Sequence, residues 1–109
     1  MDSQLEERRK AIAALCREYG VLRLDVFGSA AQGAFDPATS DLDFAMTLAD
    51  CGAIGLAMRY LRGRSGIEAL LARPVGMIFD DSIRNPSFRE EIEETRRSVF
   101  LAPEEAAAA

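Results

Sequence analysis

The stretch that decides the fold is residues 27–46, FGSAAQGAFDPATSDLDFAM. It carries Gly28-Ser29, then eleven residues, then Asp41-Leu42-Asp43. The residues before it, VLRLDVF, set Val21, Arg23, Asp25 and Phe27 against Leu22, Leu24 and Val26. That period of two predicts a strand over 21–27 with one buried face. LDFAMTL, at 42–48, alternates again, with Leu42, Phe44, Met46 and Leu48 opposite Asp43, Ala45 and Thr47. Asp41 and Asp43 then share a strand face, about 6–7 Å apart. Two carboxylates side by side repel, and a divalent cation between them relieves the repulsion. An all-oxygen site suits magnesium or manganese, and magnesium commonly bridges to substrate phosphates. Gly28-Ser29 offers backbone amides, a hydroxyl and close approach, which is what phosphate oxygens need. Each feature alone is ordinary, since Asp-x-Asp is usually a solvated strand edge and Gly-Ser a turn. The two together, at this spacing and between strands, are far more specific. GSAAQG also has the glycine spacing of a P-loop, but Ala34 and Phe35 stand where Lys and Ser/Thr are required, which excludes that site.

Working outward, residues 3–19 read as a helix. Ser3 and Glu6 fit a capping box, and Leu5, Ile12, Leu15, Cys16 and Tyr19 form an apolar stripe ending at Gly20. Cys16 on that stripe reads as core. Residues 49–53 read as a loop and 54–72 as a helix, with a break expected near Gly63 and Gly66. VGMIF at 75–79 reads as a third strand. Asn85-Pro86 predicts an N-cap and first helical residue, with a helix to about 97 and Phe88 and Ile92 inward. SVFL reads as a last edge strand. The order predicts one α/β (α+β) domain over residues 1–102, a small mixed sheet of three to four strands flanked by helices, with a frayed tail at 103–109.

Composition limits the chemistry. The 109 residues are 49% hydrophobic, enough for one domain with a real core. A net charge of -5 argues against binding long nucleic acid. With no histidine, Ser-His-Asp and Cys-His catalysis and histidine zinc sites are excluded. Lys10 is the only lysine, and Ser29 has no base to make it a covalent nucleophile. Two distant cysteines, Cys16 and Cys51, make neither a disulfide framework nor a four-cysteine site, so a reducing cytoplasm is the expected location. No run of residues is apolar enough to span a membrane, and the polar N-terminus does not look like a secretion signal. Arg59, Arg62, Arg64 and Arg73 make one region basic, which reads as a solvated face.

Residues 27–46 resemble the signature of the minimal nucleotidyltransferases of the DNA polymerase β superfamily, G-S-x-A-R-G followed by a loop and S-D-x-D. The resemblance continues through LLARPVGMIFDDSIRNPSFREEIEETRRSVFLA and covers all but the tail. It implies a polymerase β-like nucleotidyltransferase fold. It also implies that Gly28 and Ser29 hold a triphosphate, with Gln32, Gly33 and Ser40 of the same motif in the nucleotide-binding set. Asp41 and Asp43 would bind Mg2+ or Mn2+ and act catalytically. The implied reaction is attack by a hydroxyl on the α-phosphorus of a nucleoside triphosphate such as ATP, releasing pyrophosphate. Many small members of this family are antitoxins of HEPN-type RNase toxins, and some transfer AMP to the toxin. The expected partner is therefore a HEPN-type protein, with a homodimer as a further possibility.

Two departures stand out. Gln32 replaces the family arginine, removing a positive charge near the triphosphate. Gly76, in Arg73-Pro74-Val75-Gly76-Met77-Ile78, stands where the family places a third carboxylate. Asp80 has the right strand parity but lies about 13 Å further along, and Asp80-Asp81 reads as an exposed turn. The alternative to an enzyme is thus a degraded nucleotidyltransferase fold that neutralises a partner by contact.

Overall fold

The computed structural model describes residues 3–28, 42–49 and 52–103. Ser29, Gln32, Gly33, Ser40 and Asp41, together with Cys51 and the Ser3 side chain, lie outside the described set, as does the tail from 104. The described elements follow the expected order. They are helix α1 (Ser3–Glu18), strands β1 (Val21–Phe27) and β2 (Leu42–Leu48), helix α2 (Gly52–Leu71), strand β3 (Val75–Phe79), helix α3 (Pro86–Thr95) and strand β4 (Arg97–Leu101). A 3-10 turn, Asp80–Ser82, follows β3.

The strands form one mixed sheet in the order β3-β2-β1-β4. β1 is antiparallel to both β2 and β4, and β2 is parallel to β3. The hairpin β1–β2 therefore forms the centre, and SVFL falls on an edge as its sequence suggested. One sheet face carries the main core. Leu24, Val26, Leu42, Phe44 and Met46 from the strands are buried with Leu5, Ile12 and Cys16 of α1 and Ile67 and Leu71 of α2. Burial pushes the Cys16 thiol up to about 12, only slightly countered by Arg17, so this cysteine is a packing residue.

Three expectations are corrected. α2 runs unbroken from Gly52 to Leu71, beginning two residues earlier than predicted. Its glycines serve packing: a Cβ on Gly66 would collide with the Leu15 side chain, and one on Gly63 would sit 3.4 Å from Met46 Cε. The cost of glycine in a helix is thus offset by a close approach of α2 to α1 and the sheet. α3 stops at Thr95, two residues before the expected end, because Arg96 takes an extended conformation and leads into β4. Asn85 caps its start as predicted, its side chain accepting from the amides of Ser87 and Phe88 at 2.9 and 3.1 Å.

The third correction concerns the other face of β1. α3 covers it, with Ile92 packed on Phe27 and Ala45 and the Phe88 ring edge-on to Phe27 at 6.0 Å. Phe88 is nonetheless an exposed residue at 38%. Under α3, Asp25 is 1% exposed rather than solvated. Its Oδ2 receives Nε of both Arg96, at 2.7 Å, and Arg23, at 2.8 Å. A buried carboxylate needs such partners. Alternation identified the strand but not the helix that buries its polar side.

Candidate active site

β1 and β2 pair so that Phe27 lies opposite Asp43. The last residue of β1 and the second of β2 are therefore neighbours, and Gly28 leaves β1 beside the Asp43 carboxylate. Gly28 has a φ of 75°, a left-handed turn that suits glycine. A Cβ at that position would be 4.0 Å from Asp43 Oδ2. The Gly28 N–H points back into the fold and donates to Thr95 Oγ1 at 3.0 Å. Gly28 thus contributes a turn and open space at the site, while its own amide is occupied.

On the other side of Asp43, the parallel register pairs it with Gly76. A Cβ on Gly76 would collide with Asp43 Oδ1 and lie 3.5 Å from its Cγ. The Asp43 side chain therefore leans into the space that any larger residue at 76 would fill. The position where the resemblance expects a third carboxylate is next to Asp43, and it holds no ligand. Among the described residues, no group of three or more acidic, cysteine or histidine side chains is placed to hold a metal ion.

Asp80 does not substitute. It sits in the 3-10 turn beyond β3, and Arg89 reaches its Oδ1 at 3.0 Å and Arg96 at 3.4 Å. Burial works to raise its pKa, but hydrogen bonds and charge from Arg89 and Arg96 outweigh that and hold it below the ordinary value. Asp81 is exposed, as the turn reading anticipated.

Among the described residues, Asp43 brings carboxylate oxygen to this end of the sheet. That donor fits a hard divalent cation that draws its remaining ligands from phosphate and water. Sequence reasoning missed Asp25, Thr95 and Arg96. Asp25 has the parity of an exposed residue, and nothing in EETRRS marks Thr95 and Arg96 as partners of residues seventy positions away.

The sequence matches the nucleotidyltransferase domain family over residues 8–99. No curated protein sequence matches the chain. Among solved structures, one of a minimal nucleotidyltransferase is similar at 28% identity, with a TM-score of 0.72 over 89% of this chain and 95% of that one. A toxin–antitoxin structure with AMP-PNP is similar in fold at 17% identity, with a TM-score of 0.65 over 92% of this chain and 78% of that one. So is a structure of a tri-AMPylated Shewanella oneidensis HEPN toxin with an MNT antitoxin, at 14% identity and a TM-score of 0.61 over 95% and 81% of the two chains. The match along almost the whole sequence, on a sheet that sets Gly28 beside Asp43, makes this chain a member of the nucleotidyltransferase domain family.

Proposed function

We propose that the chain binds a magnesium or manganese nucleoside triphosphate, ATP above others, and transfers its nucleoside monophosphate to a hydroxyl on a partner protein. The observation that carries this reading is the pairing of Phe27 with Asp43, which sets Gly28 and its left-handed turn beside a carboxylate. Asp41 and Asp43 would hold the metal, which when bound neutralises charge on the phosphates and steadies the leaving pyrophosphate. Ser29 would donate its hydroxyl to the triphosphate, with Gln32, Gly33 and Ser40 completing the pocket around it. Gln32 offers hydrogen bonds without the charge of an arginine, which predicts a weaker hold.

The acceptor hydroxyl would attack the α-phosphorus, the α–β bond would break, and pyrophosphate would leave. The hydroxyl proton has no carboxylate at position 76 to receive it, so it passes to solvent or to a group on the acceptor. That slows the chemical step, since a positioned base contributes typically 10²–10⁴-fold. A HEPN-type toxin is the acceptor proposed, and the chain its antitoxin. The support is likeness in fold to structures of toxin–antitoxin pairs, one of which contains an AMPylated toxin. Such an exchange suits a reducing cytoplasm, the location proposed here.

Gly76 favours a second reading, in which the fold binds nucleotide and partner but no longer transfers. Transfer of label from α-labelled ATP to a co-expressed HEPN-type protein, with magnesium, separates the two. Label from the native chain supports the enzyme. Label only from Gly76→Asp supports the binding module. No label from either, in a protein that also fails to bind nucleotide, overturns both.

A further inference from the structure

We infer that Thr95 is a positioning residue for the phosphate-binding turn, acting through the backbone amide of Gly28. The inference rests on the nucleotide-binding reading above and adds to it a residue outside the family motif. Thr95 is the last residue of α3 and is 7% exposed. Its Oγ1 accepts the Gly28 N–H at 3.0 Å and donates to the Glu91 carbonyl, one helical turn back, at 3.0 Å. The second bond fixes the hydroxyl's direction, so the oxygen lone pairs face the turn.

The next residue strengthens the clamp. Arg96 Nε bonds Asp25 Oδ2 at 2.7 Å, three residues before Gly28 on β1. Consecutive residues at the end of α3 thus grip β1 at two points about 10 Å apart. Between those points, Phe27 packs against Ile92 and meets the Phe88 ring. The left-handed turn at Gly28 is thus anchored by the end of α3 on the sheet face that Phe27 and Asp43 share.

This arrangement has a chemical consequence. Glycine-rich phosphate turns are usually credited with donating their own amides to the anion. Here the Gly28 amide is committed to Thr95, and the donors left to the triphosphate are those that follow it in the chain, beginning with Ser29. By holding Gly28, Thr95 fixes the point at which the chain leaves β1 toward those donors.

The test has two arms in the full-length chain. In the first, exchange of the Gly28 amide proton is followed by NMR in the native protein, with and without magnesium and AMP-PNP. The amide is expected to be protected in the free protein and to change little on binding. Free exchange that becomes protected only with nucleotide would make Gly28 a phosphate donor and overturn the inference. In the second, affinity for magnesium–AMP-PNP and for Mn2+ alone is measured in the native chain, Thr95→Ser and Thr95→Val. The valine variant should bind the nucleotide about tenfold more weakly, the loss of one hydrogen-bonded anchor, and the serine variant should recover most of that loss. Mn2+ binding should be the same in all three, because the carboxylates are not on the turn. Equal nucleotide affinity in native and valine proteins overturns the role of Thr95 alone. Absence of nucleotide binding by the native chain overturns the nucleotide reading and this inference with it. If the valine variant does not fold, the exchange measurement still decides.

Discussion

Asp43 and Gly76 are register partners on adjacent parallel strands, and the Asp43 carboxylate occupies the space that a Cβ at position 76 would need. The place where the resemblance expects a third carboxylate is therefore partly taken by the side chain of Asp43. Restoring an acid at 76 requires Asp43 to turn aside and sets two like charges together.

Gly76→Asp should for that reason be less stable than the native chain in a chelating buffer, by about 1–3 kcal/mol, through crowding and repulsion. Magnesium or manganese should recover much of the loss, since an ion bound only by the folded state stabilises it. Thermal unfolding with and without metal checks this. A variant whose midpoint ignores metal would mean that position 76 is not at a cation site.

The buried pair under α3 gives a contrast between two arginines on one carboxylate. The Arg96 side chain is 9% exposed and that of Arg23 is 43%, and both reach Asp25 Oδ2. Arg96→Met should cost about 3 kcal/mol, because it removes the inner partner of a buried charge. Arg23→Met should cost under about 1 kcal/mol, as exposed pairs do. Denaturant unfolding of both variants measures the difference, and equal costs would contradict the burial argument.

Asp80 predicts acid sensitivity. Arg89 and Arg96 outweigh burial and depress its pKa below the ordinary 3.8. A depressed carboxylate stabilises the fold above its unfolded value and loses that contribution as pH falls through its folded value. Stability should therefore drop below about pH 4 on this group's account. Asp80→Asn should be weaker at pH 7 and show a shallower decline below pH 4. Urea midpoints at pH 7 and pH 3 test it, and an unchanged slope would show that Asp80 is not coupled to folding.

Much of the fold was legible because its signals are local. Alternation marked β1 and β2, the Asn85-Pro86 start marked α3, and the small–acidic pattern at 28–43 carried the resemblance to the family that the chain belongs to. The errors came where a distant contact outweighs a local preference. Gly66 looked like a helix breaker because its partner, Leu15, is fifty residues away. Asp25 looked solvated because α3, which buries it, returns only near the end of the chain. At the site, the placement of Asp43 beside Gly28 was implicit in the hairpin. The commitment of the Gly28 amide to Thr95 was not, since a single threonine at a helix end carries no mark of what it will hold.

In the proposed function Asp43 holds a metal that in turn holds a nucleotide. The most direct measurement is calorimetric titration of AMP-PNP into the native chain and into Asp43→Asn, each with magnesium and with chelator. The native chain should bind only when magnesium is present, and Asp43→Asn should lose the metal-dependent part, a weakening of at least about tenfold. Binding that is indifferent to magnesium, or equal in the two proteins, would contradict that reading.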